Sequence, residues 1–158
     1  MTHDDQLDLI ITRELKAPRA KLWRAWTEAD LLAQWWTPAP WTTEVKALDV
    51  RPGGAFNTVM KGPDGERHEG PGAFIHVEPG RVIVFTSVLE EGWRPVAEPG
   101  FPMTATITME DQGSGSRYTA HVLHASEADR KQHEEMGFFD GWNTMISQLD
   151  ELASGLED

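Results

Sequence analysis

Histidine and tryptophan are the residues of this 158-residue chain with the most chemical reach: six of the first, seven of the second. His121 and His124 stand three apart in a strand-like run, which turns them to opposite faces of a sheet. His68 and His76 are eight apart and on one side of an extended chain, but separated by about 26 Å. His133-Glu134 begins like a zinc-binding HExxH helix, yet position 137 is Gly, so the second ligand is missing. No metal is expected. Cysteine ligands, thiol nucleophiles and disulfides are excluded, because the chain has no cysteine. Glu90-Glu91 and Glu134-Glu135 read as solvated faces, not as an acid and a base within reach of one bond. Asp49 and Arg51 read as an edge ion pair. No P-loop, nucleophile elbow or dinucleotide glycine motif occurs, and no cofactor is expected.

The remaining chemistry is that of binding. Trp36 and Trp41 are candidates for a pocket wall, weighed against simple packing at one end of the core. Trp35 and Trp36 are adjacent and cannot share a helix face, so one of them at most is expected to point inward. Trp93, in a polar loop, reads equally as a lid, a partner contact or a ring folded back on the core rim. Alternation in the later segments places Phe74 with His76, Ile83 with Phe85 and Ser87, Met103 with Ala105, Ile107 and Met109, and Thr119 with His121. Ser87, Thr119 and His121 are the polar groups that could orient a ligand among apolar walls, and methionines make such walls adaptable. The expected ligand-binding residues are Trp36, Trp41, Phe56, Phe74, Phe85, Ser87, Met103, His121, Met136, Phe139 and Trp142. No catalytic residue is assigned.

The elements that would position them follow from spacing. Ser126–Leu152 predicts one long helix: Phe138, Trp142, Met145, Leu149 and Leu152 recur every three or four residues, with Phe139 and Ile146 widening the stripe. Ser126 is its expected N-cap, Asp129 completes a near capping box, and Glu127 pairs with Lys131 one turn on. Gly137 and Gly141 each cost such a helix about 1 kcal/mol relative to Ala, which predicts close packing or a ligand against the helix backbone. Upstream, Leu7–Lys16 reads as a strand, Pro18–Thr27 and Glu28–Trp35 as short helices, and Thr43–Val50 and Ala55–Met60 as strands. Gly62-Pro63-Asp64-Gly65 is a hairpin turn. His68–Val77 reads as one strand interrupted by Gly70, Pro71 and Gly72. Arg81–Leu89, Pro102–Glu110 and Arg117–His124 complete about six strands. Strand, two short helices, antiparallel strands and a long helix make a single α+β domain, whose twisted sheet curls around the helix and leaves a cavity between them.

The formal net charge of −12 repels phosphate backbones and anionic lipid, so neither nucleic acid nor membrane is an expected partner. No apolar run is long enough to span a bilayer. The acidic start MTHDDQLDL argues against a secretory signal, and a cytoplasmic location is expected.

Ala17-Pro18 with Leu22-Trp23, Ala25-Trp26-Thr27, Leu32 and Trp35-Trp36 resembles the N-terminal signature of START-like helix-grip proteins of the SRPBCC superfamily. More narrowly it is similar to the group named after the activator of heat-shock-protein-90 ATPase homologue. Asp49-Val50-Arg51-Pro52-Gly53-Gly54 resembles that group's second block. Gly62-Pro63-Asp64-Gly65, Val77-Glu78-Pro79-Gly80-Arg81 and Val84-Phe85-Thr86 resemble the third, and Met136-Gly137-Phe138, Gly141-Trp142 and Leu149 the closing helix. The ordered matches run from Leu9 to Leu152. The resemblance implies a helix-grip fold, with a curved antiparallel sheet gripping the C-terminal helix and a cavity that often takes lipids, polyketides or other small hydrophobic molecules. In the eukaryotic namesake a separate N-terminal domain supplies much of the chaperone contact, and this chain has no room for it. Non-catalytic binding of a small hydrophobic or amphipathic molecule is therefore the leading expectation. A polyketide cyclase- or aromatase-like enzyme working around His121, a co-chaperone-like interaction module using Trp93, and a cavity closed by side chains with no ligand are its rivals.

Overall fold

Alternation along the strands decides which residues meet the helices. The computed structural model describes residues 3–158. Strand β1 (Asp8–Leu15) turns Leu9, Ile11 and Leu15 inward, and β10 (Gly115–Leu123) answers with Tyr118, Ala120 and Val122. Leu9 stands opposite Val122 and Ile11 opposite Ala120 in the antiparallel register. Strands β9 (Thr104–Gln112), β6 (Val82–Thr86) and β5 (Ala73–Glu78) extend this sheet in the order β1-β10-β9-β6-β5. A second sheet holds β2 (Thr42–Leu48), β3 (Phe56–Lys61) and β4 (Arg67–Gly70), and a two-stranded ribbon pairs β7 (Leu89–Glu90) with β8 (Arg94–Pro95).

His68–Val77 is thus two strands, not one. The chain leaves the second sheet after Gly70 and enters the first at Ala73. Pro71 lacks an N–H for a ladder, and a Cβ on Gly72 would stand 2.8 Å from the Thr86 carbonyl oxygen and 3.1 Å from that of Phe56. The sheets are stitched at this corner: Phe56 N–H donates to Gly72 O at 3.0 Å, and Phe74 N–H to Gly54 O at 3.0 Å. The result is a strongly curved antiparallel surface. A bulge at Ile75 then shifts the register, pairing Phe74 with Phe85 and His76 with Val84. Phe74 is buried and His76 exposed, so the expected shared face of these two is split by the extra residue.

Helix α1 (Arg19–Thr27) starts after Pro18 and buries Leu22, Ala25 and Trp26. Helix α2 (Ala29–Leu32) stops three residues short of the expected end, and a turn follows it. The helix-face argument therefore does not apply to Trp35 and Trp36. Trp35 is fully buried, Trp36 half-buried, and both rings pack on Trp26, at 5.1 and 5.2 Å.

The C-terminal stretch is broken where one helix was expected. Helix α3 (Glu127–Glu135) is capped by the Ser126 hydroxyl, which accepts from Asp129 N–H at 3.1 Å, and carries the Glu127–Lys131 pair at 3.0 Å. Gly137 then takes φ +94°, a left-handed conformation that ends α3 and starts α4 (Phe138–Ser154). Phe138, Trp142, Ile146, Leu149 and Ala153 face the sheet from α4. Its polar residues tie down neighbouring chain. Asp150 accepts from the N–H groups of Lys16 and Ala17, and Gln148 Nε2 donates to the carbonyls of Trp35 and Thr37, at 3.0 Å each. This is an α+β helix-grip architecture. Among the described residues, no helix is long and apolar enough to cross a membrane.

Candidate functional site

An aromatic cluster forms the floor of the site. Trp26, from α1, donates its indole N–H to the Tyr118 hydroxyl at 2.9 Å, inside the core. Trp36 covers it and packs against Phe56 at 5.0 Å and Phe85 at 5.6 Å. Phe56 in turn stacks on Phe74 at 4.9 Å, the planes only 5° apart. Rings at these separations and tilts gain contact energy beyond their buried area.

Above this floor lies a cavity of about 670 Å³, partly open to solvent. One wall is the inner face of the second sheet, where Thr58 pairs with Gly70 and Met60 with His68. The facing wall is the corner between α3 and α4, with His133, Met136, Trp142 and Met145. Phe85, Ser87, Phe101 and Met103 close the end. Gly70 lacks the side chain that would crowd Thr58, since a Cβ there would lie 3.3 Å from the Thr58 hydroxyl.

Of the residues expected from sequence, Trp36, Phe56, Phe85, Ser87, Met103, Met136 and Trp142 border this space. The other four do not. Phe74 is wholly buried beneath Phe56 and forms core. Trp41 stacks on His68 at 5.7 Å, one ring back from the wall. Phe139 follows Phe138 by one residue, is rotated off the buried face of α4, and is 41% exposed. His121 alternates with Ala120 and Val122, so it lies on the sheet face away from α4. There it meets the buried Asp8 carboxylate at 2.8 Å. The polar constellation that an enzyme working around His121 would need is therefore not at this cavity.

Ser87 borders the space but its hydroxyl is committed. It donates to Phe101 O at 2.6 Å and accepts from Met103 N–H at 3.0 Å. Its role is to hold the segment that closes the cavity's end. Trp93 is half exposed and folds over the turn at Gly53, whose added Cβ would lie 3.0 Å from the indole ring. It does not border the cavity. At the mouth, Arg67 faces Glu69 at 3.6 Å.

The polar residue that sequence reasoning missed is His133. Its ring is buried, tilted 4.5 Å from Phe101 and edge-on to Phe138 at 4.9 Å. Its Nδ1 lies 2.9 Å from His124 Nε2, and His124 Nδ1 lies 2.7 Å from the Leu7 carbonyl. Burial, with the neighbouring His124 adding to it, pushes the His133 pKa down to about 4, so the ring is neutral at physiological pH. In the sequence, His133 reads only as half of a metal motif. Its position one strand-to-helix turn beyond His124 was the signal available.

The family described as activator of Hsp90 ATPase homolog 1-like protein matches residues 16–154. A crystal structure of a protein from Nitrosomonas europaea is 42% identical, with a TM-score of 0.91, over 96% of this chain and 97% of that one. One from Mycobacterium smegmatis is 29% identical with a TM-score of 0.80, over 99% and 97% of the two chains. A solution structure of an AHSA1-like protein from Aeromonas hydrophila shares the fold at 19% identity and a TM-score of 0.71, over 95% of each chain. No curated protein matches the chain. The match across nearly all of the fold, from Lys16 to Ser154, places this chain in the activator of Hsp90 ATPase homolog 1-like family.

Proposed function

We propose that this protein binds a small hydrophobic or amphipathic molecule in the cavity between the curved sheet and the α3–α4 corner, without catalysing a reaction on it. The observation that carries this reading is the wall itself. Trp36, Phe56, Phe85, Met103, Trp142 and Met145 surround a space of about 670 Å³, within the usual range for small-molecule pockets. Removing about 300 Å² of ligand apolar surface from water contributes roughly 7 kcal/mol, which offsets much of the cost of association. The family's fold suits a ligand-binding or a co-chaperone-like module, and the first of these is the reading the cavity supports.

Native mass spectrometry of the purified protein, followed by denaturing extraction, tests it. A co-purifying apolar molecule, displaced when Met103→Trp fills the cavity, is the expected result. An apo mass, together with no quenching of tryptophan fluorescence across a panel of neutral aromatic and aliphatic compounds, would overturn it.

A further inference from the structure

The two histidines dictate what kind of ligand the cavity prefers. The Leu7 carbonyl can only accept, so His124 Nδ1, 2.7 Å away, carries a proton. With one proton on the His124 ring, placed on Nδ1, the Nε2 atom keeps its lone pair. His133 Nδ1 faces that lone pair at 2.9 Å and must donate to it. The proton of His133 is thereby held on Nδ1, and its Nε2 is an acceptor. Among the described residues Nε2 has no hydrogen-bond partner, although no wholly buried side-chain nitrogen or oxygen is left unpartnered. The residue is only 9% exposed and borders the cavity. Its free nitrogen is therefore not sealed in the core, and the cavity is the space this residue borders.

We propose that the cavity selects a neutral apolar molecule bearing a hydroxyl or similar hydrogen-bond donor, such as a phenol or alcohol, and that His133 Nε2 is the acceptor that orients it. The inference rests on the binding reading above and adds the ligand's chemical class. The serine and threonine hydroxyls at the wall do not compete for this role. Ser87 is committed to Phe101 and Met103, and Thr86 donates to Met103 O at 3.0 Å. The Thr58 hydroxyl has no hydrogen-bond partner among the described residues, but a hydroxyl both donates and accepts and so does not discriminate. An anion is disfavoured: Arg67 at the mouth is already opposite Glu69, the chain carries a net charge of −12, and a lone pair on His133 repels a carboxylate.

The test is calorimetric titration of the full chain at pH 7.5 with 1-naphthol and with its methyl ether, 1-methoxynaphthalene, which keeps the rings and loses the donor. Wild type is expected to prefer the naphthol about tenfold, the worth of one hydrogen bond to an otherwise unpaired acceptor. His133→Asn keeps a donor for His124 but has no atom at the Nε2 position. It should show less than twofold preference for naphthol over the ether. His133→Gln, which reaches that position, should recover part of the preference and keeps the test valid if the Asn variant folds poorly. Equal affinities in wild type, or an undiminished preference in His133→Asn, would overturn the inference while leaving cavity binding intact. Binding of neither compound would overturn the binding reading and this inference together.

Discussion

Trp26 and Tyr118 are joined by a hydrogen bond of 2.9 Å between two side chains that are each about 1% exposed. The bond ties α1 to the centre of the sheet directly beneath the cavity floor. Burial pushes the Tyr118 phenol well above its ordinary range, a shift the bond from Trp26 only partly opposes, so the hydroxyl stays protonated and able to accept. Tyr118→Phe removes the acceptor and strands a buried indole N–H. The expected loss is about 1–3 kcal/mol, read from urea denaturation as a lower midpoint at unchanged slope. Stability within about 0.5 kcal/mol of wild type would show that the indole finds another partner.

The His133 environment predicts an acid-sensitive fold. The folded-state pKa is lowered to about 4, by burial first and by His124 second, against about 6.5 in the unfolded chain. The unfolded state therefore takes up the proton first. Stability is undiminished above pH 6.5 and falls progressively as pH drops from there toward 4. The groups facing the ring are His124 and the rings of Phe101, Phe138 and Trp142, so among the described residues no carboxylate faces the ring to rescue the charge. With solvent access to the ring discounted, the expected loss between pH 7.5 and 4.5 is on the order of 2 kcal/mol. His133→Asn should lose less over that interval by this amount, measured by denaturation at both pH values. Parallel losses in the two proteins would assign the acid sensitivity elsewhere.

Gly72 marks the place where the chain passes between sheets. A Cβ there would meet two backbone carbonyls, those of Thr86 and Phe56, at 2.8 and 3.1 Å. Neither can move without disturbing its own strand. Gly72→Ala should cost roughly 1–3 kcal/mol and weaken ligand binding, because Gly72, Phe56 and Thr86 all border the cavity. Wild-type stability in this variant would mean that the corner relaxes freely.

The curved sheet was legible because strand alternation is local: Leu9 and Ile11, or Ala105 and Ile107, announce their face in two or three residues. What escaped was set by single residues that interrupt a period without changing composition. The apolar spacing runs on from Met136 into Phe138, so nothing in the stripe betrays the break at Gly137. The bulge at Ile75 turns His76 outward although it stands two residues from Phe74. His124 and His133 are brought together by the turn between β10 and α3, which periodicity does not describe. The aromatic half of the cavity was therefore readable, while the polar residue at its wall depended on tertiary placement.

Gly137 and Gly141 separate two explanations that sequence alone left together. Neither close packing nor ligand approach applies, since a Cβ at either position would meet nothing within 4 Å. Their backbones differ. Gly137 has φ +94° at the junction of α3 and α4, whereas Gly141 lies within α4, donating its N–H to Gly137 O at 2.8 Å. Gly141→Ala should therefore stabilise the protein by about 0.5–1 kcal/mol through helix propensity alone. Gly137→Ala should destabilise it by about 1 kcal/mol or more, because an L side chain resists the left-handed region. In a chain of this size these correspond to shifts of about 2–4 °C in Tm, of opposite sign. Gly137→Ala carries a second consequence. Relief of its strain favours straightening α3 into α4, which would swing His133 away from Phe138 and open the cavity wall. The variant should lose ligand affinity while Gly141→Ala keeps it, a comparison that calorimetry and thermal melting make on the same two samples. If both substitutions stabilise the fold equally, the junction is a helix with no need of its glycine.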